Sequence, residues 1–189
     1  MKRIFIFIFC VHGLLFAQNT EIDVIKNDIV KYVEENYSKT LEQIPLGKET
    51  AFGFNNRDMF DRCVTGNPIM LLKINNESEI EKTNEWRVPL LINGKYVILL
   101  TVVEFEQNYE IVDIGGKLLA ELIDNYNNEN EKIAFMLRDH RKKTDYVSFE
   151  YNSLSDKNFY KIQYETKNMY QTDGISLEEI IELHNIDNE

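Results

Sequence analysis

Residues 85–103 read EWRVPLLINGKYVILLTVV, two apolar runs on either side of Asn93-Gly94. This dipeptide tolerates the positive φ angles of a type I′ turn, so the stretch predicts a β-hairpin with arms Glu85–Ile92 and Lys95–Val103. Pro89 has no N–H to donate to a ladder, which points to an edge position or a bulge early in the first arm. Upstream, the unbroken apolar run IMLLKI (69–74) predicts a buried strand. Downstream, Glu106-Gln107-Asn108 turns the chain into a third meander strand, Tyr109–Ile114. After Gly115-Gly116, Leu118, Leu119, Leu122, Ile123 and Tyr126 share one face of a helix. Asn125–Glu131 is a polar loop. Lys132–Arg138, Thr144–Tyr151 and Phe159–Glu165 then alternate apolar and polar residues, as three further antiparallel strands would.

Helices bracket this sheet. From Thr20 to about Ser38, Ile22, Ile25, Ile29, Val33 and Tyr37 recur at helical spacing among Glu and Lys, and Thr20 with Asp23 resembles a capping box. A shorter helix is expected over Arg57–Thr65, opened by Asn55 or Asn56 and stopped by Gly66 and Pro68, with Met59, Phe60, Cys63 and Val64 inside. A last helix runs to about His184. It opens with Ser176 and Glu179 in capping-box positions and Ile175 and Ile180 as a hydrophobic staple. The order α-α-β-β-β-β-α-β-β-β-α describes an α+β fold: a mainly antiparallel sheet of about six to seven strands, with the long N-terminal helix and the others packed on one face. This order resembles profilin-, PAS- and cache-type sensor folds, and a long first helix against a meander is also similar to cystatin-like folds. A likeness of fold implies no activity.

The 189 residues are 43% hydrophobic and 28% charged, an ordinary globular composition that fits one domain. With 21 Lys+Arg against 32 Asp+Glu the formal charge is -11, a sign that repels nucleic acid and anionic membranes. Lys2 and Arg3 precede IFIFIFCVHGLLFA (4–17), an uncharged run that ends in Ala17 before polar residues. This is the layout of a secretory signal peptide. The run falls short of the roughly 20 residues that span a bilayer, which argues against a retained anchor and against stable membrane insertion. Leu15 is bulkier than the residue usual three places before a cut, and Phe9 before Cys10 disfavours lipidation. Cleavage after Ala17 leaves residues 18–189 as a single domain with 19 basic and 32 acidic groups, and Cys63 as its one cysteine. Such a chain is expected to be exported, periplasmic or extracellular, and to rely on its packed core rather than on disulfides.

Cys63 with His140 or His184 supplies the residue types of a nucleophilic pair, yet on an apolar helix face a thiol behaves as a small hydrophobe. Two distant histidines and one cysteine lack the close spacing of a zinc site. The segment DNYNNENE (124–131) offers oxygen ligands but departs from an EF-hand loop at Tyr126. Glu77, Glu79 and Glu81 alternate along an extended segment and read as a solvated charged loop. Asp58, Asp61, Glu104 and Glu106 are carboxylates available for glycoside hydrolysis, a mechanism that turns on their separation. The nucleophile-elbow, Walker, zincin and dinucleotide-binding motifs do not occur in the sequence. Phe52-Gly53-Phe54-Asn55-Asn56-Arg57-Asp58 and Trp86-Arg87 set aromatics beside arginines, which makes Phe54, Arg57, Trp86 and Arg87 the candidate ligand- or partner-binding residues. Their other use is to fill the joint between helix and sheet. The expectation is a secreted or periplasmic, non-catalytic binding domain without metal or cofactor, for a protein or small molecule, with a homodimer through a sheet edge left open. The alternative is an extracellular hydrolase using Cys63 or a carboxylate pair.

Overall fold

The computed structural model describes residues 4–75, 77–106, 108–126, 133–149, 159–162 and 174–186. The strands are β1 (Val64–Thr65), β2 (Ile69–Ile74), β3 (Ile80–Ile92), β4 (Lys95–Phe105), β5 (Asn108–Gly115), β6 (Phe135–Asp139), β7 (Thr144–Ser148) and β8 (Tyr160–Lys161). They form one sheet in the order β5-β4-β3-β2-β6-β7-β8, with β1 paired to β3 beyond the end of β2. The helices are α1 (Ile4–Glu42), α2 (Lys117–Tyr126) and α3 (Leu177–Asn185). The fold is α+β with a mostly antiparallel sheet.

The β3-β4 hairpin turns where its sequence demands, with Asn93 at φ 54° and Gly94 at φ 78° between the pair Ile92↔Lys95. β3 is nevertheless an interior strand, so the edge position considered for Pro89 does not hold. Pro89 pairs with Leu99 one residue from a register shift between Leu90 and Leu91, and on its other side it faces the passage from β1 to β2. There its carbonyl accepts the Gly66 N–H at 2.8 Å, and no partner requires an N–H from the ring.

Three boundaries differ from expectation. α1 does not start at Thr20 but runs unbroken from Ile4, because no proline interrupts 4–42 and a capping residue starts a helix only where the preceding chain is not already helical. The helix expected over Arg57–Thr65 is a 3₁₀ turn, Arg57–Arg62, after which Cys63 is extended and Val64–Thr65 join β3 as β1. Pairing with β3 supplies the backbone partners that a further helical turn would have supplied, and Val64 consequently points outward, 62% exposed. β6 lies parallel to β2, not antiparallel to its neighbours on both sides. The chain leaves β5 at one edge and recrosses the sheet through α2, and a crossover of that length returns it to the free side of β2. Lys132, residues 127–131, 150–151 and 163–165 lie outside the described residues.

The sheet separates two cores, and helices cover both of its faces rather than one. Met70, Leu72, Trp86, Val88, Leu100, Phe135 and Leu137 pack with Ile29 and Val33 of α1 and Ile180 of α3. The alternate residues Ile69, Leu71, Leu99, Met136 and Val147 pack with Leu119, Leu122 and Ile123 of α2. A strand such as IMLLKI, apolar on successive residues, is satisfied only where both faces are covered.

Candidate functional site

The α1 stripe seals against the sheet unevenly. Ile29 and Val33 are fully buried, whereas Ile22 and Ile25, one to two turns earlier, are half-buried and stand over a gap. Beneath them Met70 and Trp86 are register partners on β2 and β3. Lys82 and Thr83 of β3 and Glu104 of β4 complete the lining of a cavity of about 260 Å³.

Trp86 is 2% exposed, and its indole N–H has no hydrogen-bond acceptor among the described residues. Leaving such a donor unmet costs about 1–3 kcal/mol. Thr83, by contrast, is fully engaged. Its hydroxyl donates to the Leu71 carbonyl at 2.7 Å and accepts the Glu85 N–H at 3.1 Å, bridging the register shift between Met70 and Leu72. Lys82 is exposed and Glu104 half-buried, and among the described residues neither has an ion-pair partner. Asn84 fastens the Glu104 backbone, donating to its carbonyl at 2.9 Å. Burial, then the nearby Glu104 and Asp28, raise the Tyr109 hydroxyl pKa. Among the described residues the cavity thus has an apolar floor and wall and two opposite charges, and neither histidine nor cysteine lines it.

Of the four candidate residues, Trp86 alone lines this cavity. Phe54 is fully buried, packed edge-on to Phe60 with ring centres 4.9 Å apart. Arg57 binds Glu49 at 3.1 Å and the Ile44 carbonyl, and its guanidinium lies 5.4 Å from the Phe60 ring centre. Both brace the segment that enters β1. Arg87, next to Trp86 in sequence, lies on the α2 face in register with Ile69 and Thr101 and donates to the Thr101 hydroxyl. Burial, and then Arg138, lower its pKa.

Cys63 is 7% exposed and its thiol contacts the Met59 carbonyl at 3.7 Å. Burial, with Asp61 adding to it, pushes the thiol from 9.0 up to about 11. Neither histidine is among its partners: His140 is exposed in the β6-β7 turn, and His184 Nδ1 meets Asp139 Oδ2 at 3.0 Å, both residues buried. Asp58, Asp61 and Glu106 are exposed. Glu81 accepts from Asn75 at 2.7 Å and pairs with Lys73 at 3.2 Å, hydrogen bonds that lower its pKa. The backbone N–H groups of Glu77 and Glu79 donate to Asn75 Oδ1. Asp124 accepts the Tyr96 N–H at 3.1 Å, fastening α2 to β4, and residues 127–131 of that acidic segment lie outside the described residues. A second cavity of about 330 Å³, at the β6-β7 turn, is lined by Arg138, Asp139, His140, Lys143 and Asp145. There Arg138 and Asp145 engage each other through two bonds of 2.7 and 3.0 Å.

Sequence reasoning singled out Trp86 and Glu104 for different reasons and passed over Lys82, Thr83 and Met70. The signal available was the alternation along β2, β3 and β4, which puts these residues on one face once the register is known. No family model, no curated protein and no solved structure matches the chain.

Proposed function

We propose that this protein is an exported, non-catalytic binding protein that takes a small molecule into the cavity between α1 and the sheet. The observation that carries the reading is the cavity itself, where the apolar Ile22, Ile25, Met70 and Trp86 enclose a space that also holds the charged Lys82 and Glu104, which do not pair with each other. At about 260 Å³ the cavity lies below the usual roughly 300–1,000 Å³ of sites for drug-sized ligands, so the ligand is small. The basic-apolar-small order of residues 1–17 supports export. Extraction of the protein from its own cells followed by mass spectrometry tests the binding reading. A small molecule is expected in stoichiometric amount, and it should be lost from a Met70→Trp variant that fills the cavity. Recovery of an empty protein that shows no thermal stabilisation by the extract would overturn the reading.

A further inference from the structure

We infer that the ligand is a zwitterion with an apolar body, of the class of an aliphatic α-amino acid. This inference rests on the binding reading above. The cavity holds a cationic and an anionic side chain, Lys82 and Glu104, on adjacent strands, and they do not pair with each other. The same sheet does pair such groups where its geometry brings them together, as Lys73 with Glu81 and Arg138 with Asp145 show. A guest carrying only a carboxylate would leave the half-buried Glu104 uncompensated as it displaced water, which is costly, and a guest carrying only an ammonium would leave the exposed Lys82 unused. A zwitterion answers both. Its carboxylate takes the Lys82 ammonium, its ammonium takes the Glu104 carboxylate, and its aliphatic part lies against Ile22, Ile25, Met70 and the Trp86 ring. Charge-assisted hydrogen bonds of this kind are shorter and stronger than neutral ones. The excess of acidic groups, 32 against 19 basic in residues 18–189, also steers simple carboxylates away, whereas a neutral zwitterion is not repelled.

Trp86 is the chain's sole tryptophan, so its fluorescence reports this cavity directly. The test titrates the full chain with leucine, isoleucine, valine and methionine, and with two halves of leucine: 4-methylpentanoate, which lacks the ammonium, and 3-methylbutylamine, which lacks the carboxylate. At least one amino acid should bind saturably with a shift in emission, and each half should bind roughly tenfold or more weakly. Glu104→Gln should weaken the amino acid by about tenfold and strengthen 4-methylpentanoate, which no longer leaves an anion uncompensated, and Lys82→Met should weaken the amino acid by about tenfold and leave the amine unchanged. A half that binds as tightly as the whole overturns the inference and leaves the binding reading standing. So does a protein that carries a co-purified molecule yet binds none of the four amino acids. A protein that carries nothing and binds nothing loses both.

Discussion

Cys63 and Trp86 show how one side chain's surroundings decide its use. Cys63 is buried, as its apolar neighbours imply, although it stands in an extended residue after a 3₁₀ turn and not on a helix face. Its thiol holds its proton to about pH 11 in the folded chain and loses it near pH 9 once unfolded. The unfolded state therefore binds fewer protons over that interval, and stability is full below about pH 9 and declines as the pH rises towards 11. Burial raises Tyr37, Tyr109 and Tyr146 above their ordinary 10.0, so their contribution has the same sign and begins higher. Urea midpoints measured between about pH 8 and 11 should fall, and a Cys63→Ala variant should lose the earliest part of the fall. A thiol reagent at about pH 8 should label Cys63 only after denaturation. A flat midpoint, or prompt labelling of the folded chain, would contradict this assignment.

Among the elements, those framed by strong local chemistry form where their sequences place them. The Asn93-Gly94 turn is one. The start of α3 is another: Ser176 accepts the Glu179 N–H at 3.2 Å and Glu179 accepts the Ser176 N–H at 2.8 Å, closing the capping box. What fastens α3 to the sheet was not legible, because it joins residues 45 positions apart. Asp139 accepts from the Arg141 and Lys142 N–H groups with one oxygen and meets His184 with the other. Replacing His184 by Ala removes a buried partner while Asp139 keeps its turn contacts, and should cost about 2–3 kcal/mol. Hydrogen exchange should show the α3 amides opening ahead of the β3-β4 amides in that variant. Equal protection in both elements, with unchanged stability, would mean that His184 carries no share of the docking. Elements without such punctuation went astray at their ends. α1 had no break upstream of Thr20, and the segment after Arg62 was free to take the strand that β3 offered.

At the scale of the whole molecule, a single sheet carries a core on each face, which suits the proposed export of a chain with one cysteine outside its first 17 residues. Expression in an exporting host should yield a periplasmic or secreted protein that begins at Gln18, read by N-terminal sequencing. Retention of Met1 in the cytoplasmic fraction would contradict export. Composition, the signal-like segment, the meander hairpin and its turn, the amphipathic stripe of α1 and the capped last helix are all written in residues close together in the chain. Propensity, turn chemistry and periodicity act over that range, so the sequence by itself determined the α+β class and most of the strands. The parallel docking of β6 on β2, the covering of both faces and the cavity itself belong to the tertiary structure. Ile22, Met70, Trp86 and Glu104 are separated by tens of residues, and only strand register and the line of α1 across the sheet bring them to one place. That register is settled by burying two apolar faces at once, a condition on the whole chain that short-range patterns do not express.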